Sequence, residues 1–228
     1  MPFKRLSKFL FATAGAVALT AMPAQAHLNS HTFTFTASSY ALNANANFTS
    51  ATTVGAFEMD TLEIDMEAGL KLAHDDNKGN ELASNPNDGD QIGTGTARAA
   101  FVFSFCSTVN VGLTVYFDES MTGAPAGAVA HYRVVAASVG TYHVWAIEQN
   151  DGSDDYKLTT DLDQAWTCST QPADASISLT INGTATGGVV SQNPSVADCK
   201  VVTSTFVDVG GTSHSGSDSK AFGASTCP

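Results

Sequence analysis

Cationic side chains are scarce in this chain. It carries 10 Lys+Arg against 22 Asp+Glu, a net charge of −12 over 228 residues. Three of the cations, Lys4, Arg5 and Lys8, lie in an N-terminal leader, and without them the balance is −15. Such a surface repels nucleic acid and anionic membranes. Tryptophan is nearly absent: Trp145 and Trp166 are the only two, which leaves little for a flat sugar-binding display. No C-x-x-C spacing exists, which argues against a structural zinc site or a thioredoxin-type centre. Helical periodicity is almost missing. The H-E-x-x-H helix of zinc proteases, the G-x-S-x-G elbow of hydrolases and a phosphate-cradling glycine loop are missing as well. The expectation is a protein that is not an enzyme, with a copper oxidase built on an N-terminal histidine brace at His27 as the alternative.

What is present begins with export chemistry. Residues 1–26 have a charged head, an apolar middle from Phe9 to Met22, and an A-x-A junction at Ala24-Gln25-Ala26. The apolar run is too short to span a bilayer, and no later run reaches spanning length. The mature chain is expected to start at His27 and to work outside the cytoplasm, as a secreted, cell-surface or periplasmic protein. Four cysteines, Cys106, Cys168, Cys199 and Cys227, then suggest two disulfides. Three pairings exist. Cys168 with Cys199 inside Cys106 with Cys227 is preferred, because it nests a local loop within a bond that ties down the C-terminus.

Short apolar stretches rich in Val, Phe, Ile and Thr alternate with Gly/Asn/Asp/Ser clusters, the mark of strands and turns. Phe57 to Leu72 reads as two strand pieces with a bend near Asp60-Thr61. His74 to Gly95 reads as a long polar loop. Ala99 to Cys106 puts Phe101, Phe103 and Phe105 on one face, and Val109 to Phe117 does the same with Val111, Leu113, Val115 and Phe117. Val129–Ala137 and Thr141–Glu148 read as a hairpin, and Ala175–Ile181 turns back at Asn182-Gly183. Cys199 to Val209 is a last strand before a loose Gly/Ser-rich tail. About ten strands predict an all-β domain, a β-sandwich or jelly roll over residues 46–228, preceded by an N-terminal strand extension at 27–45.

That extension contains H-T-F-T-F-T-A, residues 31–37, alternating as a strand does. A strand at a chain end freed by proteolysis can add to a neighbour's open sheet edge. Thr32, Phe33, Thr34, Phe35 and Thr36 would form that assembly strand, with the phenylalanines filling the acceptor groove. The alternative is an ordinary first strand paired within its own sheet.

Three pieces then carry a family resemblance. Ala46-Asn47-Phe48-Thr49-Ser50-Ala51-Thr52 resembles the A-x-F-[ST]-D-x-x opening of the TasA/camelysin biofilm-matrix family. F-E-M-D-T-L-E-I, residues 57–64, is similar to its F-x-A-G-T-L-D-L strand. N-P-N-D-G-D-Q-I, residues 85–92, resembles its L-x-P-G-D-x-L turn. The pieces fall in the family's order within residues 46–105. Ser50 stands in place of the aspartate and Asp60 in place of the glycine. The resemblance implies a jelly-roll subunit of an extracellular fibre, a homopolymer in which one subunit's N-terminal segment completes the next subunit's sheet, with matrix polysaccharide as a further partner.

Other chemistry is weighed against this. After cleavage, His27 would offer an amine and an imidazole to one copper ion, with His74, His131, His143 or His214 as a second source of imidazole. His131 and His143 share one hairpin. A two-residue turn would face them to opposite sides of the sheet, and a three-residue loop to the same side. Asp151, Asp154 and Asp155 gather in a D-G-S-D-D turn whose oxygens suit calcium, as in a monomeric calcium- or glycan-binding surface module.

Overall fold

Alternation of side chains along each stretch dictates the architecture. The computed structural model describes residues 31–54, 59–66, 69–73, 82, 84–100, 104–105, 107–149, 156–162, 175–208, 211–223 and 226–227. The strands are β1 (His31–Ala37), β2 (Phe48–Val54), β3 (Met59–Met66), β4 (Lys71–Leu72), β5 (Gln91–Ala100), β6 (Thr108–Asp118), β7 (Ala128–Ala136), β8 (Gly140–Glu148), β9 (Tyr156–Asp161), β10 (Ala175–Ile181), β11 (Ser191–Gln192), β12 (Asp198–Asp208) and β13 (Ser213–Phe222). The fold is all-β. Eleven strands form one antiparallel sheet in the order β1-β2-β10-β5-β6-β7-β8-β9-β3-β12-β13, and β4 pairs with β11 separately.

The sheet rolls up until its two ends meet, which makes it nearly barrel-shaped. A Cβ built on Gly216 of β13 would stand 3.2 Å from the Phe33 Cβ on β1. Inward side chains fill the interior. Val111, Leu113, Val115 and Phe117 of β6 pack with Tyr132, Val134 and Ala136 of β7 in the larger buried cluster. The smaller cluster joins the two ends, with Phe33 and Phe35 of β1 against Val202 of β12 and Phe222 of β13. Removing a side chain of Phe size from water contributes about 1.5–3 kcal/mol, so this cluster is what draws the ends together. Buried polar groups pair across the interior: Thr52 shares a 3.0 Å hydroxyl contact with Ser204, and the Tyr132 hydroxyl donates to the Ala73 carbonyl at 2.6 Å. Among the described residues the exceptions are Asn193 Oδ1 and the two His31 ring nitrogens, which are buried without a hydrogen-bond partner.

The β6 pattern and the β7–β8 hairpin stand as expected. The bend in the third strand is a bulge: Thr61 pairs with Val207 and Met59 with Asp208, so Asp60 is the extra residue. Other expectations are corrected. The strand read at Ala99–Cys106 starts earlier: β5 begins at Gln91, within the stretch read as loop, and meets the expected strand only at Ala99-Ala100. Its small residues give room to β10, whose Leu179 and Ile181 lie opposite Gly95 and Gly93. Phe105 sits in a turn at φ 53°, 96% exposed, while Phe101 and Phe103 lie outside the described residues. Asn182-Gly183 does not make a hairpin; β10 pairs with β2 and β5. Gly183 is needed for another reason: a Cβ there would come within 2.7–2.9 Å of the Asn45–Ala46 backbone. The tail read as loose contains β13, whose serines alternate outward at 213, 215, 217 and 219.

The preferred disulfide pairing is corrected too. Cys199 bonds Cys227, with Cα atoms 5.1 Å apart. Antiparallel pairing of β12 with β13 sets Cys199 opposite Ala221, so the chain end passes beside Cys199. That bond rules out both Cys168–Cys199 and Cys106–Cys227. Cys106 and Cys168 lie outside the described residues.

Candidate functional site

Two places bring together residues with more than a packing role: the seam where β1 meets β13, and a groove on the outer face of β8, β9 and β3.

At the seam, β1 pairs along its whole length with β2, from His31↔Val54 to Ala37↔Phe48. Phe33 and Phe35 are buried at 7% and 2% exposure, and Thr32, Thr34 and Thr36 face out. β1 therefore takes its place within its own sheet. Its other edge has no ladder among the described residues. There the Phe35 N–H donates to the Asp218 carboxylate at 2.8 Å, and Lys220 donates to the same carboxylate at 2.9 Å. Burial works to raise the Asp218 pKa, but these two donors and the Ser219 N–H outweigh it and hold the group below the usual carboxylate range. His31 stands edge-on to Phe206 at 5.3 Å, and His214 stacks on that ring's plane at 4.7 Å. Burial lowers the His31 pKa.

The groove arises from the register of the hairpin. Ala136 pairs with Gly140 around the three residues Ala137-Ser138-Val139, with Ser138 at φ 65°. This is the longer of the two turns, and it turns His131 and His143 to the same face. His131 lies opposite Asp118 on one side and Trp145 on the other, and Trp145 lies opposite Thr159. The chain from Glu119 to Gly127 folds back over this face, so His131 is only 3% exposed although it points away from the core.

The hydrogen bonds fix the histidine tautomers. His131 Nδ1 lies 2.7 Å from the Ser120 carbonyl oxygen, which can only accept, so Nδ1 carries the proton. His131 Nε2 then accepts from His143 Nδ1 at 2.7 Å. In the neutral form of His143 the lone pair is then at Nε2. Burial favours neutral His131 and lowers its pKa; the Ser120 carbonyl and Asp118 act the other way, while His143 and Arg133 add to the lowering. Trp145 stacks on His131 with centroids 4.1 Å apart and planes 17° apart. Arg133 lies over the Tyr116 ring and 3.5 Å from Asp118, and Lys157 pairs with Glu63 at 3.1 Å.

The groove beside Trp145 has a volume of about 860 Å³. It is lined by Asp60, Thr61, Thr159 and Asp161 from β3 and β9, by Thr141, Tyr142 and His143 from β8, and by Thr122 and Pro125 from the segment after β6. Among the described residues no three His, Cys, Asp or Glu side chains group as a metal site. His27, His74, Asp151, Asp154 and Asp155 lie outside them, so the copper and calcium expectations have no geometry here. The only sign of this site in the sequence is the dependence of the facing of His131 and His143 on turn length. Nothing local in it links Trp145 to Asp60 or Thr122. No described helix is long and apolar enough to cross a membrane. No family model, curated protein or solved structure matches the chain.

Proposed function

We propose that this protein is an exported structural subunit that joins copies of itself into extracellular fibres by exchanging β1. The observation that carries the reading is the position of β1. It is the first strand of the described chain, laddered to β2 on one edge only and closed against β13 through the Asp218 side chain. Leaving this place costs the burial of Phe33 and Phe35; taking the same place in a neighbour restores it. Exchange of an identical element is a low-cost route to assembly, and head-to-tail exchange that does not close gives a filament. The A-x-A leader junction and the Cys199–Cys227 disulfide accord with work in an oxidising compartment outside the cytoplasm.

The test is a crosslink across the exchanged contact. Thr34 and Ala51 are directly opposed in the β1–β2 ladder, within the span a disulfide bridges. In the double variant Thr34→Cys, Ala51→Cys, fibres oxidised after assembly should give a ladder of covalent multimers on a non-reducing gel. Crosslinks confined to single chains, or absence of fibres from concentrated mature protein by electron microscopy, would overturn the proposal.

A further inference from the structure

We infer that the groove beside Trp145 binds a neutral polyhydroxylated ligand, a pyranose segment of a polysaccharide chain. The inference does not depend on β1 exchange, since the groove is built by β3, β8, β9 and the segment after β6.

The groove is rich in hydrogen-bond acceptors. Asp60 and Asp161 present carboxylates, which only accept when ionised. The tautomer chain from Ser120 through His131 puts the proton of a neutral His143 on Nδ1, so that form accepts at Nε2. Thr61, Thr141 and Thr159 add hydroxyls that serve either way. A ligand that matches this lining must be rich in donors. Among the described residues no lysine or arginine lines the groove, and the chain is strongly acidic, so an anionic ligand meets repulsion with no compensating pair in that lining. No group of three metal-ligating side chains exists among the described residues, which disfavours a bare cation as the occupant. Among the described lining residues the large aromatics are Trp145 and Tyr142; Tyr142 packs against the core cluster, and the indole of Trp145 offers a flat apolar wall.

That indole is held in advance. One face stacks on His131, which is itself fixed by hydrogen bonds at both ring nitrogens. The ligand therefore does not have to order Trp145 on binding, and a rigid aromatic surface gives contact area at small entropic cost. A pyranose ring matches such a wall: its axial C–H groups make one apolar face, and its equatorial hydroxyls point outward to the acceptors around it. The volume suits more than one sugar ring, within the usual range for ligand sites. The groove is open, as a chain-like ligand requires.

The experiment is calorimetry on the full mature chain with cellohexaose, laminarihexaose and mannohexaose as neutral probes. Glucose distinguishes a chain from a single sugar, and oligogalacturonate is the anionic comparison. At least one neutral hexasaccharide should bind, more tightly than glucose, with no measurable binding of oligogalacturonate. Trp145→Ala should weaken binding by about tenfold or more, a loss of about 1.4 kcal/mol. Because Trp145 also packs on His131, the exposed Asp161 supplies a second variant: Asp161→Asn should fold normally and weaken binding severalfold. The inference is overturned if no neutral hexasaccharide binds, if glucose binds as well as the chain, if oligogalacturonate binds best, or if folded Asp161→Asn and Trp145→Ala both bind as the parent does.

Discussion

The Asp218 carboxylate accepts the Phe35 backbone N–H at 2.8 Å, across the seam where, among the described residues, β1 and β13 share no strand ladder. A side chain on β13 thus does what a neighbouring strand's carbonyl does elsewhere. Asp218→Ala leaves a donor on a residue that is 2% exposed without its acceptor, which costs about 1–3 kcal/mol. Asp218→Asn keeps an acceptor and should lose less. The same contact gives a pH dependence. The folded-state pKa is lowered, so the folded protein binds fewer protons than the unfolded chain in the acidic range. The stabilisation is complete above the ordinary carboxylate pKa and is lost as pH falls through the lowered folded value. Denaturant midpoints between pH 6 and about pH 3 should fall more steeply for the parent than for Asp218→Asn.

A second pH dependence acts nearer neutrality. Burial lowers the pKa of His131 from its ordinary value of 6.5. The neutral ring is the form that both donates to Ser120 and accepts from His143. Stability from this site is therefore full above the unfolded-state value and is lost as pH drops below it. His31, also lowered by burial, acts in the same direction. The thermal midpoint should fall on going from about pH 7.5 to about pH 5. In His131→Gln the fall should be shallower but not abolished, because His31 remains.

Much of the fold was legible where alternation was strong. Val111, Leu113, Val115 and Phe117 face the core because every second residue of β6 must. Composition misled where it was read in place of alternation. S-H-S-G-S-D-S-K suggests a loose tail, yet its odd positions face solvent while Asp218 and Lys220 serve the seam. Q-I-G-T-G suggests a loop, but its glycines are what allow Leu179 and Ile181 to lie close. Long-range order was not legible, since nothing in β10 states that it sits between β2 and β5. The disulfide followed from that order: only the β12–β13 pairing brings Cys227 to Cys199. The groove was hidden for the same reason. It joins Asp60, Thr122, His143 and Asp161 through four segments, and the facing of His143 turns on one residue of loop length.

The β5 glycines give a paired test of close approach. Gly95 lies opposite Leu179. A Cβ on it would fall against the Ser178 carbonyl oxygen and stand 2.8 Å from Leu179 Cδ2. The carbonyl belongs to a strand laddered on both sides, so it cannot swing away without loosening β2 or β5. Gly95→Ala should therefore cost about 1–3 kcal/mol, the range for overpacking a filled interior. Gly112 on β6 is the contrast, since a Cβ there meets nothing within 4 Å. Gly112→Ala removes unfolded-chain freedom without a clash and should be neutral or stabilise by up to about 1 kcal/mol. Urea midpoints of the two variants, compared at equal transition slopes, check the difference. Equal midpoints would mean that β5 and β10 do not approach as closely as Leu179 and Gly95 require.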